Sequence, residues 1–176
     1  MRRHSRNWPP AEAEVWFISG PHGNIAVHGI ILGEEGTMGR INLGRVVLGS
    51  LIAGVVINAF EFVLNGVVLA DQWPELMKSI NRPALGMNEI IAFNVFGFVS
   101  GLVAIWTYAA IRPRFGEGPK TAMIAALLTW VTVYVLADSA PTIMGIFPMP
   151  MTLMLVGVGL VEFVIATLAG AYFYKE

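Results

Sequence analysis

Four long apolar runs dominate the chain, at about 43–70, 88–111, 120–139 and 151–174, and polar or small residues recur in each at helical spacing. Each has the roughly 20 residues that an α-helix needs to cross a bilayer core. In the first run Ser50, Gly54, Asn58, Glu61 and Asn65 follow at intervals of four, four, three and four, which places them on one helix face. The other positions are mostly Val, Ile, Leu and Phe. Glu61 facing lipid would cost several kcal/mol, so the stripe is expected to face protein.

The other runs carry comparable faces. Asn88 is the predicted N-cap of the second, in which Asn94, Gly97, Gly101, Ala104 and Tyr108 share a side. Gly97 and Gly101 make the small-xxx-small spacing that lets helices approach closely. The third run holds Thr129 and Thr132, has Trp130, Tyr134 and Asp138 stepped by four, and is expected to stop at Pro141. In the fourth, Gly159, Glu162, Ala166 and Ala169 form the small and polar face. The expected fold is an all-α, polytopic membrane protein: a bundle of four transmembrane helices in contact with the lipid bilayer.

The connections fit that plan. Asp71 to Ile80 reads as a short interfacial helix with Pro74 in its first turn and Trp73 at headgroup level. Arg112 to Lys120 is a basic turn closed by Pro119, a residue suited to starting the next helix. Met149 and Pro150 end an uncharged turn before the last run.

Residues 1–37 are of another character, with Arg2, Arg3 and Arg6 followed by Pro9-Pro10 and a glycine-rich stretch. Trp8 to Glu14 interrupts any apolar core behind the arginines, so a cleaved signal peptide is not expected. The segment reads as a poorly structured extension, with Met38 as the expected true start. His22 and His28, six apart in a glycine-containing loop, have no recognisable metal-ligand spacing.

Composition sharpens the class. In 176 residues, 56% are hydrophobic and 13% charged, with a mean hydropathy of +0.67. That balance suits one membrane domain. Without cysteine there is no disulfide, thiol nucleophile or Cys-bound metal. The eleven Lys and Arg form no basic face, which argues against nucleic acid. With the N-terminus cytoplasmic, nine of them fall inside and only Lys78 and Arg82 outside; without residues 1–37 the balance is six against two. Both termini are therefore expected in the cytoplasm.

The candidate site is an intramembrane polar cluster: Asn58, Glu61, Asn65, Asn94, Asp138 and Glu162. Glu61 and Glu162 each open a Glu-Phe-Val triplet in spans that topology can make neighbours. Two carboxylates in low dielectric cannot both ionise cheaply, so at least one is expected to keep its proton. The group either ties helix to helix or serves a small proton-linked transporter. Helix packing is assigned to Ser50, Gly54, Gly97, Gly101, Gly159 and Ala166. No Ser-His-Asp set, HExxH, phosphate loop or dinucleotide fingerprint occurs, and the spans hold no His to join the glutamates on a metal. Enzyme is the least favoured class and no cofactor is expected. The expected partner is a second copy or another membrane protein.

From Met38 onward the chain resembles a family of small four-span bacterial membrane proteins of unknown function. The resemblance rests on Arg45-Val46-Val47-Leu48-Gly49, on Glu61-Phe62-Val63-Leu64-Asn65-Gly66, on Arg112-Pro113-Arg114-Phe115-Gly116 with Gly118-Pro119-Lys120-Thr121, and on Val161-Glu162-Phe163. It implies a four-span fold and names no activity.

Overall fold

The computed structural model describes residues 16–20, 23–27 and 41–174. The chain divides into two compact units, 1–38 and 39–176. Within the first, β1 (Trp16–Gly20) and β2 (Gly23–Val27) pair antiparallel, with Trp16 opposite Val27 and Gly20 opposite Gly23. The expectations for His22, His28 and the remainder of that segment lie outside the described residues.

The second unit is all helical. It comprises α1 (Leu43–Val63) running into a π-helical turn (Leu64–Val68), α2 (Gln72–Ser79), α3 (Met87–Phe115), α4 (Pro119–Trp130) with a second π-helical stretch (Val131–Leu136), α5 (Ala137–Ile143) and α6 (Met149–Phe173). Four continuous apolar helices result, Leu43–Val68, Met87–Phe115, Pro119–Ile143 and Met149–Phe173, each long enough to span a membrane. We number them spans 1 to 4. Neighbouring pairs are 1 with 2, 1 with 4, 3 with 4 and 2 with 3, so spans 1 and 3 stand across the diagonal.

Small residues set the spacing. A Cβ on Gly101 would come within 2.7 Å of the Gly54 amide nitrogen and 2.8 Å of the Ser50 carbonyl, so spans 1 and 2 cross there backbone to backbone. Higher up, Asn58 fills the slot left by Gly97, whose Cβ would lie 2.7 Å from the Asn58 amide nitrogen. Spans 1 and 4 meet at Gly49 and Gly170. Ala166 is fully buried on span 4. With lipid tails as apolar as leucine, this close packing is what helix association in a bilayer rests on. Leu43, Val55, Phe62 and Leu153 are exposed on the outside of the bundle, as the lipid-facing side of a membrane helix would be.

Both ends of the four-span unit lie together, since the Asn42 amide donates to the Tyr174 hydroxyl at 3.3 Å. The basic turn is locked at the same end. Arg112 pairs with Glu117 at 2.7 Å and sits over the Tyr174 ring, 5.5 Å from its centroid, while Tyr108 meets that ring edge-on. The Gly118 amide donates to the Tyr108 hydroxyl, and Thr121 donates to the Gly116 carbonyl at 2.6 Å. The Arg-Pro-Arg-Phe-Gly piece thus closes the terminal end of the bundle. The opposite end is the far end.

Several helix boundaries differ from the sequence expectation. Span 4 starts at Met149 with Pro148 as its N-cap, so Met149 and Pro150 form its first turn rather than the end of the connection, a position where proline's missing amide costs nothing. Span 2 is capped at Gly86, one residue before Met87, because the Glu89 carboxylate accepts from the Gly86 amide at 2.9 Å; Asn88 lies inside the helix. Its C-terminal end runs through Pro113 to Phe115, four residues beyond Ile111. Span 3 does not stop at Pro141 but continues to Ile143. Proline there removes one amide and crowds the preceding turn. Hydroxyls serve nearby carbonyls: Ser139 donates to Val135 and Thr142 to Asp138.

Candidate intramembrane carboxyl site

Tyr134 occupies the middle of the site and comes from the π-helical stretch of span 3. Its hydroxyl donates to Glu61 Oε1 across the diagonal of the bundle, and the same oxygen lies 3.0 Å from Glu162 Oε2 on span 4. One phenol therefore joins three spans. The ring fits because span 4 has glycine at the crossing: a Cβ on Gly159 would lie 2.5 Å from the ring carbons. Phe163 packs edge-to-face on it at 5.9 Å between centroids.

A chain of donors leads outward from Glu61. The Asn65 amide donates to Glu61 Oε2, and the Trp73 indole of α2 donates to Asn65 Oδ1 at 3.1 Å. Asn65 sits in the π-helical turn that ends span 1. Single π-type turns inside α-helices recur at functional sites, and both such stretches here carry a member of this network. Trp73 was expected at headgroup level; it is half-buried, stacked edge-on against Phe147, and its polar atom points back to the site. Leu76 and Leu69 are buried beneath it.

Burial is graded along the line. Glu61 is half-buried, whereas Glu162 is 0% exposed and its Oε1 is buried with no hydrogen-bond partner. Below Glu162 the terminal half of the interface is closed by the Gly49–Gly170 contact and by Ile105, which packs against both glycines. Two open hollows lie elsewhere. One is an apolar groove between spans 1 and 2, lined by Val47, Ser50, Leu51, Val95, Phe98, Val99 and Leu102. The other, at the far end, is lined by Met77, Ile80, Arg82, Pro83, Ala84, Leu85 and Glu89.

Of the six residues grouped by sequence, the structure joins Glu61, Asn65 and Glu162 in one network. Asp138 lies one turn beyond Tyr134, half-buried, close enough to Glu61 for their charges to interact. Asn58 is apart from them: it donates to the Gly54 carbonyl of its own helix at 2.8 Å and packs against span 2. Asn94 is exposed and donates to Ile90 of its own helix at 2.8 Å. The outer half of span 2 also leaves Ile90, Phe93 and Phe96 exposed. Gly159, assigned to helix packing, is where span 4 makes room for the tyrosine ring of span 3. Sequence reasoning missed Tyr134 and Trp73 as members. The signal for Tyr134 was its place near the middle of span 3, at the depth of Glu61 and Glu162.

No family model, curated protein or solved structure matches the chain.

Proposed function

We propose that this is a structural or accessory component of a bacterial cytoplasmic membrane, related to the small four-span family it resembles, and that the carboxyl–phenol network clamps spans 1, 3 and 4. The observation that carries the reading is the single Tyr134 hydroxyl shared by Glu61 and Glu162, the latter wholly enclosed. A buried hydroxyl shared between carboxyl groups on two other helices ties the three helices into one arrangement. Both termini are assigned to the cytoplasm, with Lys78 and Arg82 outside. The partner is a second copy or another membrane protein, supported by the uncovered outer half of span 2.

The proton-linked carrier is the competing reading, favoured by the polar line from Trp73 to Glu162. A carrier must open its site to both faces, and the Gly49–Gly170 crossing weighs against the inner route. Reconstitution into vesicles holding a pH gradient separates the two. The gradient is expected to decay as in protein-free vesicles. Decay that depends on Glu162 would overturn the structural reading. Native membranes solubilised in mild detergent test the partner: the chain is expected in an assembly larger than one 19.1 kDa copy, and a monomer would contradict it.

A further inference from the structure

Counting hydrogen-bond donors assigns a proton in the cluster. Glu61 accepts from the Asn65 amide on Oε2 and from the Tyr134 hydroxyl on Oε1. The Tyr134 hydroxyl has a carboxyl oxygen on either side and one hydrogen to give, so one of the two carboxyl groups must donate to it. Glu162 is wholly enclosed with one oxygen unpartnered and Glu61 is only half-buried, so the charge belongs on Glu61, which then takes the Tyr134 hydrogen. The phenol oxygen, 3.0 Å from Glu162 Oε2, can then only accept at that contact. Its hydrogen has to come from Glu162. The bare Glu162 Oε1 agrees, because a buried carbonyl-type oxygen without a partner costs far less than a buried carboxylate oxygen without one.

We propose that Glu61, Tyr134 and Glu162 form a binding site for one exchangeable proton, held on Glu162 and exchanged with water through Glu61 at the far end of the bundle. Transfer along the line is balanced. The Glu162 O–H bond breaks as a new O–H bond forms on the Tyr134 oxygen, while the original Tyr134 hydrogen passes to Glu61 Oε1. The charge moves from Glu61 to Glu162, and the Glu61 proton leaves past Asn65 and Trp73. Access is one-sided, since Glu61 is half-buried and followed by polar residues, whereas Glu162 is enclosed above the Gly49–Gly170 closure. Such a site binds a proton without passing it across the membrane.

The titratable groups facing the site are Glu61 from span 1, Tyr134 and Asp138 from span 3, and Glu162 from span 4. Span 2 presents Gly97, Gly101 and Ala104 to the bundle, and α2 presents Trp73 and Leu76, with Glu75 and Lys78 exposed.

Infrared difference spectra of the reconstituted protein test the proposal. At neutral pH the carbonyl stretch of a protonated carboxylic acid is expected, shifted in D2O, lost in Glu162→Gln and kept in Glu61→Gln. In Tyr134→Phe the band should move to higher frequency, because its hydrogen has lost the acceptor. Absence of the band in the wild type, an unchanged band in Tyr134→Phe, or loss only in Glu61→Gln would overturn the assignment. Sidedness is read in vesicles of labelled orientation by changing pH on one face at a time. The wild-type band should respond to the face bearing α2, and a response from the terminal face would overturn the access route.

Discussion

Gly49 and Gly170 face each other so closely that a Cβ on the first would lie 2.7 Å from the carbonyl oxygen of the second, and a Cβ on the second 2.6 Å from that of the first. Each Cβ would meet a backbone carbonyl that no rotamer change can move aside, and the Ile105 side chain crowds both positions as well. Gly49→Ala or Gly170→Ala is expected to destabilise the bundle by about 1–3 kcal/mol, the range for overpacking a well-filled interior. Gly157, beside which a Cβ would meet nothing within 4 Å, is the control in the same span. Unfolding in detergent should show a lower midpoint for the first two variants and none for Gly157→Ala.

Tyr134→Phe removes one oxygen and leaves two carboxyl groups without their shared partner. Glu162 is enclosed, so the loss is expected to cost about 1–3 kcal/mol, the desolvation penalty of a buried polar group left unpaired. Glu162→Gln keeps a donor toward Tyr134 and should cost less than Glu162→Ala. The order of unfolding midpoints checks this: wild type, then Gln, then Ala.

Polar residues inside the same membrane depth should differ sharply in consequence. Asn65 joins Trp73 to Glu61, so Asn65→Leu should lower stability by about 1–3 kcal/mol. Asn94 is exposed and bonded only within its own helix among the described contacts, so Asn94→Leu should change stability of the isolated chain by less than about 0.5 kcal/mol. Paired melts of the two variants decide it, and equal effects would contradict the placement of Asn94.

The assigned orientation is readable with single cysteines, since the chain has none. Ser79→Cys, at the exposed end of α2, should react with a membrane-impermeant thiol reagent from the periplasmic side, and Lys120→Cys, in the basic turn, should not. The reverse pattern would invert the topology.

Much of this architecture was legible in the residue pattern, for physical reasons that reach some features and not others. A bilayer forces backbone hydrogen bonds to close within each span, so length and apolarity alone identified all four helices. Of the stripe from Ser50 to Asn65, Ser50 and Gly54 are buried, while Asn58, Glu61 and Asn65 lie at the half-buried edge of that side of span 1. Where a helix ends is decided locally: Glu89 reaching back to Gly86 moved one cap, and a single proline, which removes one amide, did not stop span 3 at Pro141. Helical spacing also put Asn94 on the face of Gly97 and Gly101, and it does lie on that side. Whether a neighbour covers that height depends on how the helices pack against one another, which periodicity does not encode. Tyr134 was hidden for a related reason. Its role depends on the space opposite it at Gly159, a pairing across 25 residues that no single-helix pattern displays.

The central claim is that Glu61 and Glu162 act on each other through the Tyr134 hydroxyl. A double-mutant cycle with Glu61→Leu and Glu162→Leu, read as unfolding free energy in detergent, measures it directly. The account predicts a coupling of about 0.5–3 kcal/mol, as for residues in one hydrogen-bond network, that falls away when the cycle is repeated in the Tyr134→Phe background. Effects that simply add in the presence of Tyr134, or a coupling that persists without its hydroxyl, would contradict the clamp.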